Sequence, residues 1–118
     1  MKVAINGAGI AGTALAHWLS KLGHEVLLVE RAAGLRTGGF VLNLWGIGYD
    51  ALERMGLLPA LLELQHHSDE LRMVDRSGRT RGGYPSHVLL KLANGRMATL
   101  ARSDIAAAIY GSLDGRVE

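Results

Sequence analysis

Lys2-Val3-Ala4-Ile5-Asn6-Gly7-Ala8-Gly9-Ile10-Ala11-Gly12 opens the chain, and His24-Glu25-Val26-Leu27-Leu28-Val29-Glu30 follows after one helix length. Residues Lys2 to Asn6 are a short apolar run ended by glycine, the signature of a strand buried in a parallel sheet. From Ile10 to Leu22 the residues Ala11, Leu15, Trp18 or Leu19, and Leu22 recur at helical spacing, and Gly23 supplies a stop. His24 to Glu30 is a second apolar strand. Strand, glycine turn, helix and strand make a βαβ unit, right-handed by default.

The turn reads G-x-G-x-x-G, and each glycine has a physical task. Gly7 permits the tight turn out of the strand. Gly9 has no Cβ, so a pyrophosphate can approach the backbone. Gly12 lets the helix lie close to the sheet. Unpaired N–H groups at the helix start, with its partial positive charge, attract phosphates. Through these contacts Gly7, Ala8, Gly9, Ile10, Ala11 and Gly12 form the candidate phosphate-binding segment. Glu30 lies 18 residues beyond Gly12, at the end of the second strand. A carboxylate there accepts hydrogen bonds from the ribose hydroxyls of an adenosine and repels a 2′-phosphate. A bare glycine motif also serves to pack a helix on a sheet. The strand before it, the helix after it and the spaced acid together point to a dinucleotide.

The rest of the chain extends this unit. Arg31 to Gly39 is a loop and Phe40 to Trp45 a short apolar segment. Tyr49 to Met55 and Pro59 to Leu64 are expected helices joined at Gly56. Leu71–Asp75 and Thr80–Tyr84 flank a hairpin turn at residues 76–79. Val88–Leu92 and Met97–Ala101 flank Asn94-Gly95, which favours a type I′ hairpin turn. Ser103 is a good N-cap for a last helix over residues 104–113. The expected class is therefore α/β: a Rossmann-like dinucleotide-binding βαβ unit, for FAD or NAD, with an added helical segment and β-hairpins. Residues 1–118 are expected to form one FAD/NAD(P)-binding domain, or part of a larger one.

Composition narrows the function classes. Hydrophobic residues make up 48% of the 118 residues, enough for a core, and the net charge is only +2 with no basic run, so nucleic acid is not an expected partner. The absence of cysteine removes disulfides, thiolate catalysis and Cys-based zinc sites. It also fits a reducing, cytoplasmic setting. No apolar stretch is long enough to span a membrane. Lys2 followed by an apolar stretch and Ala14-Leu15-Ala16 imitates a secretory signal, but Asn6 and three glycines interrupt it. Of the five histidines, His66 and His67 are adjacent and so point to different faces of a helix. No metal site is expected. There is no nucleophile elbow and no Walker lysine. Trp45 and Tyr49 suit a core or a ligand face. No catalytic residue is assigned.

From Met1 to Leu58 the chain resembles the start of flavin-dependent aromatic-hydroxylase-type monooxygenases, which share the fold of 4-hydroxybenzoate hydroxylase and include tetracycline-inactivating relatives; the resemblance implies that residues 1–118 are a partial N-terminal, Rossmann-like FAD-binding domain. The matching residues are G-A-G-I-A-G, V-E-R, and the run from Arg36 through Gly38-Gly39 to Leu57. Leu100-Ala101-Arg102-Ser103-Asp104-Ile105 resembles that family's R-x-D/E-L segment. The resemblance implies an FAD site lined by Gly7, Gly9, Gly12, Glu30, Arg31, Arg36 and Arg102. Asn43 stands where relatives often carry an aspartate near the flavin. It further implies an oxidoreductase that uses NAD(P)H and O₂ to hydroxylate a small organic substrate. The family's later Asp-Gly and Gly-Asp segments and its substrate sheet are not in these residues, which implies a complementing C-terminal chain. An NAD-dependent oxidoreductase fragment and a non-catalytic truncated chain are the alternatives.

Overall fold

The computed structural model describes residues 1–35, 38–113 and 115. Strand β1 (Lys2–Asn6) pairs in parallel with β2 (Glu25–Val29), in a register from Lys2 opposite Glu25 to Asn6 opposite Val29. Helix α1 (Ile10–Lys21) connects them, as the glycine motif predicts. The helix ends where Gly23 takes φ +80°: the Gly23 N–H donates to the Ser20 carbonyl and the His24 N–H to the Leu19 carbonyl. That is a Schellman closure, which glycine favours because it has no Cβ to clash.

The buried face of α1 differs from the expected stripe. Thr13, Ala16 and His17 are buried, whereas Ala11 is exposed and Leu15 and Leu22 are 51% and 71% exposed. The cause is the approach at Gly12, which presses that side of the helix onto the glycine turn. Ala16, four positions further on, shares that face, and Thr13 and His17 lie beside it on the buried side.

Strand β3 (Val41–Trp45) leads into helices α2 (Ile47–Met55) and α3 (Leu58–Leu62), with Gly56 left-handed at φ +76° between them. Strands β4 (Glu70–Val74) and β5 (Thr80–Pro85) form the expected antiparallel hairpin. Its turn is organised by Asp75, whose carboxylate accepts hydrogen bonds from the Ser77 N–H at 2.9 Å and the Arg79 N–H at 3.0 Å.

The second expected hairpin does not form. Residues Ser86–Leu92 are helix α4, and β6 (Met97–Ala101) pairs antiparallel with β3. Ala98 and Leu100 are buried on β6 and lie opposite Leu44 and Leu42 on β3, so a shared apolar face selects this partner. Asn94 and Gly95 are indeed both left-handed, at φ +50° and +75°, but they close α4 instead of a hairpin: the Asn94 N–H donates to Lys91 and the Gly95 N–H to Leu90. The same backbone preference serves both structures.

Helix α5 (Arg102–Gly111) follows β6 without a loop. It therefore starts before Ser103, and Ala101 occupies the cap position with no side-chain cap. His66 and His67 also lie outside any helix, since α3 ends at Leu62 and the His66 N–H donates to the Thr99 carbonyl at 2.8 Å.

Two clusters make the core. The larger contains Tyr49, Leu52, Leu61, Leu100, Ile105 and Ile109, with Ile10, Ala14 and Trp18 of α1 against it. The smaller, with Ile5, Ala16, Val26 and Leu113, lies under the parallel pair. Helix α1 touches both, and His17 Nδ1 lies 2.7 Å from Ser112 Oγ just beyond α5. That packing fixes the start of α5 relative to the glycine turn. Among the described residues no helix is long and apolar enough to cross a membrane.

Candidate cofactor-binding site

A cleft of about 260 Å³ opens where β1 hands over to α1, lined by Gly7, Ala8, Gly9, Glu30, Gly34, Leu35, Arg102 and Ala106. The three glycines play separable parts. Gly7 has φ +107° and its N–H extends the sheet ladder to the Val29 carbonyl at 2.7 Å. A Cβ on Gly12 would stand 1.9 Å from the Gly7 carbonyl oxygen, so the fold itself requires glycine there. Gly9 is different. Its φ is −76° and an added Cβ would meet nothing within 4 Å. Neither backbone conformation nor packing demands glycine at this position, and the side-chain space belongs to the cleft.

Glu30 stands at the mouth of the turn. Its Oε2 accepts a hydrogen bond from the Ala8 N–H at 2.9 Å, and its Oε1 accepts one from the Ala32 N–H at 2.8 Å. The acid is thereby held between the glycine turn and the segment after β2. A carboxylate offers roughly four acceptor positions, and the Ala8 and Ala32 amides each donate to one of the two oxygens. No side chain caps α1 and its first turn carries no acid, which leaves its first N–H groups and partial positive charge for an anion. Bare backbone, open space at Gly9 and a tethered carboxylate fit the diphosphate and ribose of an adenosine dinucleotide.

Arg102 comes from the other half of the molecule. Its N–H donates to the Phe40 carbonyl at 3.2 Å, and Ala106 lies one turn further along α5. Gly39, at φ +122°, passes 3.8 Å from the Arg102 Cβ when its own Cβ is built. The cleft thus gathers Gly7, Ala8, Gly9, Glu30 and Arg102. It does not gather every expected residue. Ile10 turns into the larger core cluster and Ala11 is exposed. Arg31 is exposed outside the cleft lining. Asn43 lies on β3, where the Thr99 Oγ1 donates to its Oδ1 at 2.7 Å, and it does not line the cleft. Arg36 falls outside the described residues. Gly34, Leu35 and Ala106 were missed. The signal for Ala106 was its i, i+4 spacing from Arg102; Gly34 and Leu35 carry no motif of their own. Tyr49 is core, whereas Trp45 is 55% exposed. Among the described residues no group of three His, Cys, Asp or Glu side chains could hold a metal ion.

A parallel βαβ unit with a glycine turn, an uncapped helix start and an acid at the end of the second strand defines a dinucleotide-binding segment. The FAD dependent oxidoreductase family matches residues 2–116, and the chain belongs to that family, whose cofactor is FAD. Over 86 residues it is 45% identical to the FAD-dependent monooxygenase asL4 of Sarocladium schorii, a match covering 73% of this chain and 20% of that protein. An uncharacterized protein of Mycobacterium tuberculosis is 38% identical over 127 residues, covering 98% of this chain and 32% of the relative. Among solved structures, the tetracycline destructase Tet(51) superposes with a TM-score of 0.73 at 26% identity, covering 97% of this chain and 28% of that one. The p-nitrophenol 4-monooxygenase PnpA of Pseudomonas putida shares the fold, with a TM-score of 0.77 at 22% identity, covering 99% of this chain and 31% of that one. The chain spans 20% to 32% of the length of these two curated relatives.

Proposed function

We propose that residues 1–118 are the N-terminal, partial FAD-binding domain of a flavin-dependent monooxygenase that uses NAD(P)H and O₂ to hydroxylate a small organic substrate. The observation that carries this reading is the Glu30 carboxylate 2.9 Å from the Ala8 N–H, in one cleft with Gly9 and Arg102. In the complete enzyme FAD supplies the redox chemistry, and the protein binds and orients it. The first N–H groups of α1 hold the diphosphate. Glu30 accepts from the adenosine ribose hydroxyls. Arg102 offers a guanidinium that suits a phosphate bidentately. The assignment of Arg31, Arg36 and Asn43 to the same cofactor rests on the family resemblance. The partner is a complementing C-terminal polypeptide that supplies the rest of the cofactor cleft and the substrate pocket, in the cytoplasm.

The test is flavin binding, followed by fluorescence anisotropy with and without a co-expressed C-terminal segment of a full-length relative. Retained FAD that NAD⁺ does not displace is the expected result. Failure to recover flavin in either arrangement overturns the proposal and leaves a non-catalytic chain.

A further inference from the structure

The chain has three asparagines, and two of them precede glycine: Asn6-Gly7 at the end of β1 and Asn94-Gly95 after α4. Asparagine before glycine is open to a reaction of its own, because glycine has no Cβ to shield its backbone nitrogen. That nitrogen, having lost its proton, attacks the asparagine Cγ. An N–Cγ bond forms, the Cγ–Nδ2 bond breaks, and Nδ2 leaves with a proton as ammonia. Solvent water then opens the cyclic imide at either carbonyl and leaves aspartate or isoaspartate. No electron is gained or lost.

Exposure does not separate the two sites, since Asn6 and Asn94 are both exposed. The backbone does. The Gly7 N–H donates to the Val29 carbonyl at 2.7 Å and continues the ladder of the parallel pair. Freeing it means parting β1 from β2 and opening the cluster of Ile5, Ala16, Val26 and Leu113. The Gly95 N–H donates to the Leu90 carbonyl at 2.8 Å, and the Asn94 N–H to the Lys91 carbonyl at 3.0 Å. Both acceptors belong to α4, whose seven residues include none that is buried. A helix of that length has little stability of its own. Elements without buried apolar contacts open at the low end of the local free-energy scale. When α4 frays, both hydrogen bonds are lost, and Asn94 is released from the left-handed conformation, φ +50°, that it holds in the closure.

We propose that Asn94 is a deamidation site gated by α4, and that Asn6, beside the glycine turn, is held unreactive by the parallel sheet. The product places a carboxylate at the C-terminal end of α4, the unfavourable end of a helix for negative charge. Asn94 also lines one cleft with Asp50 and Arg96, where the Arg96 guanidinium is already shared between Asp50 and Glu53. In the isoaspartate form the main chain runs through the side-chain carbon and gains a methylene between α4 and β6. Both products therefore disfavour the closure that α4 makes in the unmodified chain. The proposal does not rest on the cofactor reading, because neither Asn94 nor Gly95 lines the glycine-turn cleft.

The experiment incubates the 118-residue chain at mildly alkaline pH, folded and in denaturing urea, and maps the conversion of amide to acid at each asparagine by peptide mass spectrometry. In the folded chain Asn94 is expected to convert at least about tenfold faster than Asn6, a gap set by the different costs of opening the two backbones. In urea the two are expected to convert at similar rates, because both gates are gone and the dipeptide is the same. Leu90→Pro, at an exposed position inside α4, breaks that helix. It is expected to raise the Asn94 rate severalfold, toward its value in urea, while Asn6 stays slow. Asn6 converting as fast as Asn94 in the folded, unmodified chain overturns the proposal. So does an Asn94 that stays intact there while urea converts it, whatever the variant does.

Discussion

Gly12 sits directly over Gly7: a Cβ on the first would lie 1.9 Å from the carbonyl oxygen of the second. Two glycines of one motif are thus bound to each other by packing, while Gly9 between them is not. The motif therefore separates into a structural part and a binding part. Gly12→Ala is expected to destabilise the chain by about 3 kcal/mol or more, at the upper end of overpacking costs because backbone must move. Gly9→Ala is expected to leave thermal stability nearly unchanged and to weaken FAD binding by at least about tenfold, through lost approach to the diphosphate. Denaturation and flavin titration of both variants check this. Equal loss of stability in the two would show that Gly9 is also a packing residue.

Glu30 touches backbone on both sides, Ala8 at 2.9 Å and Ala32 at 2.8 Å. Hydrogen bonds to a charged group contribute about 1.5–3 kcal/mol each. Glu30→Ala should therefore weaken FAD binding by roughly tenfold to a hundredfold. Glu30→Gln retains one side-chain carbonyl oxygen, so it can serve the Ala8 amide or the Ala32 amide but not both in the present geometry. Its affinity is expected to fall between the wild type and the alanine variant. An unchanged dissociation constant in Glu30→Ala would remove the ribose contact from the proposed site.

Acid should loosen the β4–β5 turn before it loosens the core. Hydrogen bonds from the Ser77 side chain, then from the backbone of Arg79, hold the Asp75 carboxyl below its ordinary value of 3.8. A carboxyl lowered by folding contributes stability that is fully present above its unfolded value and is lost as pH falls through the folded one. The turn is therefore expected to stay ordered down to about pH 4 and to open below it. Amide exchange at Ser77 and Arg79 reads this out. Asp75→Asn should abolish the transition, and its persistence in that variant would assign it to another group, such as Glu53 or Glu70, both also held low by arginine partners.

The βαβ unit was legible in the sequence because its signals are local: a glycine turn, an acid at fixed spacing, and a glycine stop at residue 23. The hairpin at residues 71–84 was legible for the same reason, since Asp75 and Gly78 set the turn from within. What the sequence concealed was non-local. Asn94-Gly95 carries the same left-handed preference in a hairpin and in a helix closure. The choice between them was made by β3, some fifty residues away, through Leu42 and Leu44. Arg102 reached the cleft because α5 docks on α1, which no spacing rule contains. Its place was suggested only by family resemblance. Asn43, suggested in the same way, went instead to a cross-strand bond with Thr99.

The inward face of α1 provides the last separation of local pattern from tertiary packing. Leu15 and Leu22 mark the apolar spacing, yet they are 51% and 71% exposed, while Leu100 on β6 has no exposure. If packing at Gly12 sets the helix orientation, Leu15→Lys and Leu22→Lys should each change the stability of this chain by no more than about 0.5 kcal/mol. Leu100→Ala should cost about 2–5 kcal/mol, since it removes a fully buried side chain from between β3, α3 and α5 and leaves a cavity. Urea denaturation of the three variants decides the matter. A large loss from Leu15→Lys would mean that the face bearing Leu15 is covered in solution, either by a second copy or by a rotated helix. Measuring the molecular mass alongside distinguishes these: association shows as a doubled mass, rotation as an unchanged one.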